Sequence, residues 1–256
     1  MRSLLSAIDR WLAPAPRPGR VDWLSGTTFA HRGLHGAEVP ENSPAAFVAA
    51  IERGFGIECD VQRSREDAPL VFHDWELDRL TAESGGVRGR SDADLQAIQL
   101  GGTAETIPSL RALLGLIAGR VPVLIEIKSK RELPVANFCR CIAGVLAGYR
   151  GAHAVMSFDP RVGRWFGGHS PQTPRGLVVT EEHSRGLTGK VRRHLALWHA
   201  KPDFLAYDIR DLPSPFAAAQ RRRGLPVASW TVRSPELWVR AAEHADAPIA
   251  EAAGIA

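Results

Sequence analysis

The sequence predicts an α/β protein of the eight-stranded β/α (TIM) barrel class. Its length of 256 residues is close to the ~250 typical of such a barrel, which folds as one domain. Short apolar runs alternate with helix-like stretches, the pattern of parallel strands joined by helices in a barrel or a doubly wound sheet. No G-x-G-x-x-G opens a helix after a strand, which disfavours a dinucleotide-binding sheet. We therefore interpret residues 1–256 as a single domain, with an N-terminal extension at 1–25.

Nine apolar runs are candidate strands: TTFAHR (27–32), FGIECDV (55–61), PLVFHD (69–74), PVLIEIK (122–128), AVMSF (154–158), GLVVT (176–180), DFLAYDI (203–209), PVASWTV (226–232) and API (247–249). Six stretches are candidate helices, several of which begin at Ser or Pro and end at Gly: 43–54, 109–119, 134–148, 190–200, 213–224 and 234–245. A barrel has eight places, so one candidate strand is expected to be peripheral.

Two segments depart from the alternation. Residues 61–70 leave no room for a helix between two strands, although a parallel crossover needs about a dozen residues or more. Residues 77–106 are rich in glycine and hold at most one short helix. We expect the second segment to be a small surface insertion after the third strand.

Composition narrows the function class. The net charge of +4 favours anionic ligands in general, but it is too small and too scattered to predict nucleic-acid binding. Three cysteines imply no disulfide framework, and no run of ~18 apolar residues predicts a membrane span. We expect a cytoplasmic protein.

The N-terminal extension has two interpretations. Its apolar stretch is too short for a signal peptide and is interrupted by Asp9 and Arg10. It is expected to be a short helix that packs on the body of the protein. The alternative is an amphipathic helix that lies on lipid, through the apolar residues Leu4, Leu5, Ile8, Trp11 and Leu12.

Polar residues mark the carboxyl ends of the first four candidate strands: His31 and Arg32, Glu58 and Asp60, His73 and Asp74, and Glu126 and Lys128. Strand side chains alternate between faces, so the acidic pair of the second strand shares one face, as do the acid and the lysine of the fourth. The carboxyl ends of parallel barrel strands form one rim, where active sites lie. We therefore expect these groups to converge.

The chemistry of these groups points to a phosphodiester site. Glu58, Asp60 and Glu126 are hard oxygen donors suited to Mg²⁺ or Ca²⁺. The two histidines suit an acid/base pair near neutral pH, and the arginine and lysine suit phosphate oxygens. Each residue alone is more often structural, so the prediction depends on their joint occurrence.

Several motifs occur in order over most of the chain: HRG (31–33), PENS (40–43), IECDV (57–61), VFHD (71–74), LDRLT (77–81), IPSL (107–110), LIEIK (124–128), SF (157–158) and SWTV (229–232). With these motifs the sequence resembles the glycerophosphodiester phosphodiesterase family, within the phospholipase C-like phosphodiesterase superfamily. The sequence departs from the family pattern in three places. Ser43 stands where threonine is usual, and RSREDAP (63–69) stands where the family often has a Thr-Lys-Asp-Gly turn. The closing segment reads DAPIAEAAGIA (246–256), where the family usually has a strand rich in Gly-Ile-Ile-Thr-Asp-x-Pro.

The resemblance implies a barrel with an insertion after VFHD, at residues 77–106. It implies metal-dependent hydrolysis of glycerophosphodiesters to glycerol 3-phosphate and an alcohol, through a cyclic phosphate. It also implies a role for each matching residue: His31 and His73 catalytic, Arg32 and Lys128 on phosphate, Glu58, Asp60 and Glu126 on Mg²⁺ or Ca²⁺, and Glu41, Asn42 and Trp230 in the substrate pocket.

Three other functions stay open. A related lipid phosphodiesterase, of lysophospholipase D or phosphoinositide type, is favoured in part by Trp11, Trp23 and Trp75. A metal amidohydrolase is disfavoured because the first strand carries His-Arg rather than His-x-His. A non-catalytic phosphate-binding barrel is disfavoured by the presence of both histidines, because binding alone needs neither a base nor an acid. The expected partner is a small phosphodiester, with no nucleic acid and with weak membrane contact through the N-terminus as a further candidate; the sequence leaves the oligomeric state open.

Overall fold

The structure is a computed structural model that describes residues 2–255, with side chains described from residue 5 onward. Its α-helices are α1 Arg2–Leu12, α2 Pro44–Glu52, α3 Asp92–Gln96, α4 Leu110–Ile117, α5 Ala136–Leu146, α6 Pro160–His169, α7 Leu187–Ala200, α8 Pro215–Arg222 and α9 Pro235–His244. Its strands are β1 Phe29–His31, β2 Gly56–Arg63, β3 Pro69–Val71, β4 Val123–Ile127, β5 His153–Ser157, β6 Arg175–Val179, β7 Phe204–Asp208, β8 Val227–Val232 and β9 Ala247–Ala250.

All nine candidate strands form, and so do the six predicted helices. Helix α6 was not predicted, although its start carries two local signals: Asp159 caps it by accepting from the Arg161 backbone N–H, and Pro160 occupies its first turn. Both are common at helix starts. The chain divides into two compact units. We call residues 29–128 and 132–153 the β1–β4 unit, and the remaining described residues the β5–β9 unit.

Strand β2 is the centre of the β1–β4 unit. It runs parallel to β1, with Ala30 opposite Ile57, and parallel to β4, with Asp60 opposite Glu126. All eight residues of β2 are buried. A strand covered on both faces is expected in a parallel sheet flanked by helices, so the polar side chains of β2 must find partners inside the protein.

Strand β3 corrects the expectation that PLVFHD would be a parallel strand. It pairs antiparallel with β2, with Val61 opposite Val71. The chain reverses at Ser64, whose hydroxyl accepts from the backbone N–H groups of Glu66 and Ala68. This tight turn explains why no helix separates the two strands, and β3 is the peripheral strand among the nine candidates.

The insertion that follows β3 has a small core of its own. Leu77, Val87, Leu95 and Leu100 are buried and pack with apolar residues of the neighbouring β3 and IPSL segments. The insertion holds one short α-helix, α3, which follows the capping residue Ser91, and one short 3-10 helix at Val87–Gly89. A single short α-helix was predicted, and the 3-10 helix was not. The insertion is also not wholly a surface segment, because its apolar side chains are removed from water.

The β5–β9 unit is a regular parallel arrangement. Each strand from β5 to β9 pairs in parallel with the next. Helices α6 to α9 connect successive strands, and the buried core includes Leu177, Leu197, Leu205, Tyr207 and Val227. The closing strand, whose sequence departs most from the family pattern, is present as β9.

The N-terminal helix α1 packs against α7. Its Asp9 is 2% exposed, and the Asp9 carboxylate contacts His194, Trp198 and Gln220, each at 2.8 Å. The predicted packed helix is therefore confirmed for the part of α1 whose side chains are described; Leu4 lies outside that part. Within residues 2–255 every helix is too short or too polar to cross a bilayer.

Candidate active site

The turn after β1 brings its backbone close to β2. Gly33 has φ +79°, and a Cβ at this position would lie 2.8 Å from Cβ of Ala46 on α2. Only glycine tolerates both the left-handed backbone and this close approach. Arg32, with φ +56°, directs its backbone N–H to Oε2 of Glu58 at 3.1 Å. The HRG motif is therefore a tight turn that positions the backbone against an acidic side chain of β2.

Three carboxylates converge at the ends of β2 and β4. Donor oxygens of Glu58, Asp60 and Glu126 all lie within 4.8 Å of one another, and the three residues are only 2%, 1% and 8% exposed. Burial raises the pKa of Glu58 well above its usual value, and the charges of Asp60 and Glu126 raise it further. Like charges this close are unfavourable without cations. The donor set fits a hard divalent cation, Mg²⁺ or Ca²⁺.

Two basic side chains offset part of this negative charge. Lys128 Nζ lies 2.8 Å from Asp60 Oδ1 and 2.8 Å from Glu126 Oε1, and Arg32 Nε lies 3.2 Å from Asp60 Oδ2. Burial opposes the charged form of Asp60, but Lys128 and then Arg32 outweigh it, so the pKa of this carboxyl is lowered. Both predicted phosphate-binding residues thus contact the carboxylate cluster directly; their role toward phosphate stays a prediction.

The β2–β3 hairpin carries His73 back toward the cluster. The Phe72 backbone N–H donates to the Asp60 carbonyl oxygen at 3.0 Å. Gln62 Nε2 donates to the carbonyl oxygens of His73 and Asp74, at 3.1 and 3.0 Å. Antiparallel pairing, rather than the end of a parallel strand, therefore places this histidine at the site.

Both histidines lie within electrostatic range of the carboxylates. His31 ends β1 and is 8% exposed. Burial has the largest effect on the pKa of Asp60, followed by Lys128 and Arg32. His73 and His31 also lower this pKa, by smaller amounts. The structure thus brings together the two histidines and the three carboxylates that the sequence singled out, all within the β1–β4 unit.

A charged chain continues from His73 to Arg32. His73 Nδ1 lies 2.6 Å from Asp74 Oδ1, and Arg79 Nε donates to Asp74 Oδ2 at 2.5 Å. Arg79 Nη2 also donates to Glu41 Oε1 at 2.6 Å, and Arg32 Nη1 donates to the same oxygen at 2.7 Å. With Nδ1 held by a carboxylate, the Nε2 atom of His73 is the one left for chemistry. Asp74 and Arg79 belong to the VFHD and LDRLT motifs, but the distance between them along the chain did not predict that their side chains would meet.

The three predicted substrate-pocket residues have different surroundings. Glu41 forms the ion pairs just described. Asn42 is buried; its Nδ2 donates to Asp60 Oδ2 at 3.1 Å, and its Oδ1 accepts from the Asp60 backbone N–H at 3.3 Å, so it orients a carboxylate. Trp230 lies in the β5–β9 unit, where its Nε1 donates to the Ala206 carbonyl oxygen and its ring meets Phe158 edge to face at 5.5 Å. Contact with substrate stays a prediction for all three.

Curated relatives match part of the chain. A putative glycerophosphodiester phosphodiesterase, YhdW of Bacillus subtilis, is 37% identical over 107 residues, which cover 39% of this chain and 44% of the relative. A glycerophosphodiester phosphodiesterase of Bacillus altitudinis is 37% identical over 113 residues, covering 41% of this chain and 45% of the relative. The matched segments thus span less than half the length of these relatives.

Solved structures match nearly the whole chain. A phosphodiesterase of Oleispira antarctica, solved in complex with the product sn-glycerol-3-phosphate, has a TM-score of 0.77 at 22% identity, covering 88% of this chain and 93% of that one. A putative glycerophosphoryl diester phosphodiesterase of Silicibacter pomeroyi has a TM-score of 0.76 at 22% identity, covering 90% and 93%. These likenesses show the fold, and the predicted eight-stranded β/α barrel is confirmed.

The family assignment comes from a third comparison. The model of the Glycerophosphoryl diester phosphodiesterase family matches residues 31–250. This range includes every residue of the predicted site, from His31 on β1 to Trp230 on β8. The chain belongs to the glycerophosphoryl diester phosphodiesterase family.

Proposed function

We propose that this protein hydrolyses glycerophosphodiesters to glycerol 3-phosphate and an alcohol, and that the reaction needs a divalent cation. The observation that carries this proposal is the buried cluster of Glu58, Asp60 and Glu126, whose donor oxygens lie within 4.8 Å of one another beside two cations and two histidines. Membership of the family supports the reaction class. The Oleispira relative, solved with sn-glycerol-3-phosphate, supports the proposed product.

The carboxylate cluster would hold the cation. Mg²⁺ or Ca²⁺, when bound there, would withdraw charge from a phosphate oxygen and lower the pKa of a coordinated hydroxyl. The Asn42 side chain hydrogen-bonds both the carboxylate and the backbone N–H of Asp60. Asn42 therefore orients one of the three metal-binding carboxylates before the cation binds.

The histidines would carry the protons. His73 has its Nδ1 held by Asp74, which leaves Nε2 to give or take a proton. One imidazole would accept the proton of the attacking glycerol 2-hydroxyl, and the other would protonate the departing alcohol oxygen. The resemblance to the family implies that the product of this step is a cyclic phosphate, which water then opens to glycerol 3-phosphate.

The cations would act on the phosphoryl group. Arg32 and Lys128 are anchored on Asp60, so their positions are set before substrate binds. Donors that are fixed in advance stabilise charge developing on phosphoryl oxygens without a reorganisation cost at the moment of reaction. Their remaining N–H groups would supply this stabilisation.

A product screen tests the proposal. Purified protein would be incubated with glycerophosphocholine, glycerophosphoethanolamine and glycerophosphoglycerol, with and without chelator, and glycerol 3-phosphate would be measured enzymatically. We expect turnover that chelator abolishes and Mg²⁺ or Ca²⁺ restores. Glu126→Gln should weaken the response to added metal, whereas Glu52→Gln, at an exposed carboxylate of α2, should not. Full turnover in chelator, with no metal by elemental analysis, would contradict the metal requirement.

One observation favours a second substrate class. Trp75, two residues after His73, is 36% exposed, and an exposed indole beside the site could contact an acyl chain. A lysophospholipid would then be cleaved to lysophosphatidic acid and its head-group alcohol. Adding lysophosphatidylcholine to the screen separates the two, since release of choline without glycerol 3-phosphate would identify the lipid substrate. Phosphate binding without any turnover would identify a non-catalytic protein.

A further inference from the structure

Helix α7 presents an apolar stripe to solvent. Leu187, Val191 and Leu195 are 72%, 50% and 53% exposed. Their spacing of four residues places them along one side of the helix. A contiguous exposed apolar surface marks an interaction site more often than scattered apolar residues do. The proposed hydrolysis uses none of these residues, so the stripe needs a separate explanation.

Helix α1 is fixed beside this stripe. The buried Asp9 carboxylate contacts His194 Nδ1 and Trp198 Nε1, each at 2.8 Å. His194 and Trp198 lie three residues after Val191 and Leu195, respectively, so the α1 contact adjoins the stripe without covering it. Trp11 lies two positions after Asp9, on the opposite side of α1, and is 82% exposed. Two adjoining helices therefore present large apolar side chains to solvent.

The same two helices are basic and almost free of acids. From residue 183 to residue 202 the sequence contains no Asp or Glu, and residues 1–21 contain only Asp9, which is buried. Arg10, Lys190 and Arg192 are exposed. Exposed apolar side chains flanked by cations bind an anionic lipid surface through both apolar burial and charge attraction.

We propose that the α7 stripe, with the basic side chains that flank it on α7 and on the adjoining α1, docks on an anionic lipid bilayer. A bilayer explains the charge better than a second copy of the chain does. In a two-fold dimer the same patch would meet itself, so a basic patch would face a basic patch. An anionic surface neutralises these charges instead.

Vesicle flotation with matched double variants tests this docking. Vesicles of phosphatidylcholine alone would be compared with equal mixtures of phosphatidylcholine and phosphatidylglycerol. Val191→Gln/Arg192→Glu removes an apolar contact and reverses one charge on the stripe. Val239→Gln/Arg240→Glu makes the same changes on α9, where Val239 is 58% exposed and Arg240 is exposed.

We expect the wild-type protein to float with the anionic vesicles, to remain behind with the neutral ones, and to be released by high salt. The α7 variant should partition about tenfold or more weakly, since each surface charge contributes on the order of 1 kcal/mol. The α9 variant should behave as wild type. Thermal melting should match for all three proteins, because every substituted side chain is exposed.

Three results would overturn the proposal. The first is equal partition of the wild type onto neutral and anionic vesicles, and the second is equal loss in the α7 and α9 variants. The third is a lipid-independent dimer, seen by sedimentation, that the α7 variant abolishes, because a second copy would then be the occupant. Flotation needs no turnover, so its outcome is independent of whether the proposed hydrolysis is found.

Discussion

Two buried acidic regions of this protein have opposite electrostatic surroundings. In the β5–β9 unit, Asp9 stands alone among side-chain donors from His194, Trp198 and Gln220. In the β1–β4 unit, Glu58 lies among other carboxylates. Burial opposes the charged form of Asp9, but the three donors outweigh it and the pKa is lowered. For Glu58, burial and neighbouring acids act together, and the pKa is raised well above its usual value.

This difference distinguishes a structural acid, Asp9, which holds helices together, from the Glu58 cluster, which is suited to bind a cation. A buried charge whose lone pairs are met by donors stabilises the fold. Several acids that repel one another, with too few donors, destabilise the fold unless a cation joins them. Burial alone therefore does not identify a functional acid; the sign of the surrounding charge does.

The largest expected effect concerns the histidines of the β1–β4 unit. His31→Ala and His73→Ala should each lower kcat on glycerophosphocholine by about 10²–10⁴-fold, the usual magnitude for an acid/base group. The variant that lacks the acid should recover much of this loss with a nitrophenyl leaving group, which departs without a proton. His183→Ala, at a 92% exposed side chain, is the control. Near-native rates in both variants would show that neither histidine transfers a proton.

A smaller effect is expected for the residues that hold His73. Asp74→Asn and Arg79→Gln should lower kcat by roughly 10-fold to 10²-fold, because a misplaced catalytic group costs rate in this range. The loss should appear in kcat rather than in KM, and Arg79→Lys should restore part of it. Arg90→Gln, which removes another arginine of the insertion, half-buried and paired with Glu83, should change nothing. An equal loss in Arg90→Gln would mean that the insertion as a whole, and not this contact, supports activity.

Neutralising a carboxylate should destabilise the protein at Asp9 but not at Glu58. In chelator, Asp9→Asn should lower the free energy of unfolding by about 2–3 kcal/mol, because charged hydrogen bonds are lost. Glu58→Gln should leave it unchanged or raise it, because a repelled buried charge is removed. Urea unfolding measures both. Added Mg²⁺ should then stabilise the wild type more than Glu58→Gln. A destabilised Glu58→Gln protein in chelator would show that this acid is structural.

The smallest effect is a pH dependence of the Asp9 contribution. Since the folded-state pKa of Asp9 lies below its usual 3.8, the stability it adds is fully present above 3.8 and is lost as the pH falls through the folded value. The stability difference between the wild type and Asp9→Asn should therefore be constant near neutral pH and shrink below about pH 4. Urea unfolding of both proteins across this range gives the difference directly. A difference that grows on acidification would refute the assignment.

Features that depend on local periodicity could be predicted from the amino-acid sequence. Alternation along IECDV and LIEIK placed Glu58, Asp60, Glu126 and Lys128 correctly, because strand side chains repeat every two residues. The alternation of apolar runs and helix-like stretches predicted parallel strands joined by helices, because parallel neighbours need a long connection; the length and the family resemblance then favoured the barrel. Gly33 was recognisable within a motif, although its contact with Ala46 was not. These predictions needed only neighbouring residues, and the structure brings the polar groups together as expected.

Contacts between residues far apart in the chain became known only from the folded arrangement. The direction of β3 depended on the turn at Ser64, and the His73–Asp74–Arg79–Glu41 chain joins side chains up to 38 positions apart. Asp9 contacts His194 across 185 positions. In the sequence this acid only interrupts an apolar stretch, whereas in the structure it holds α1 against α7. Local patterns carry no information about such pairs, because their contact energy is gained only after the intervening chain has folded.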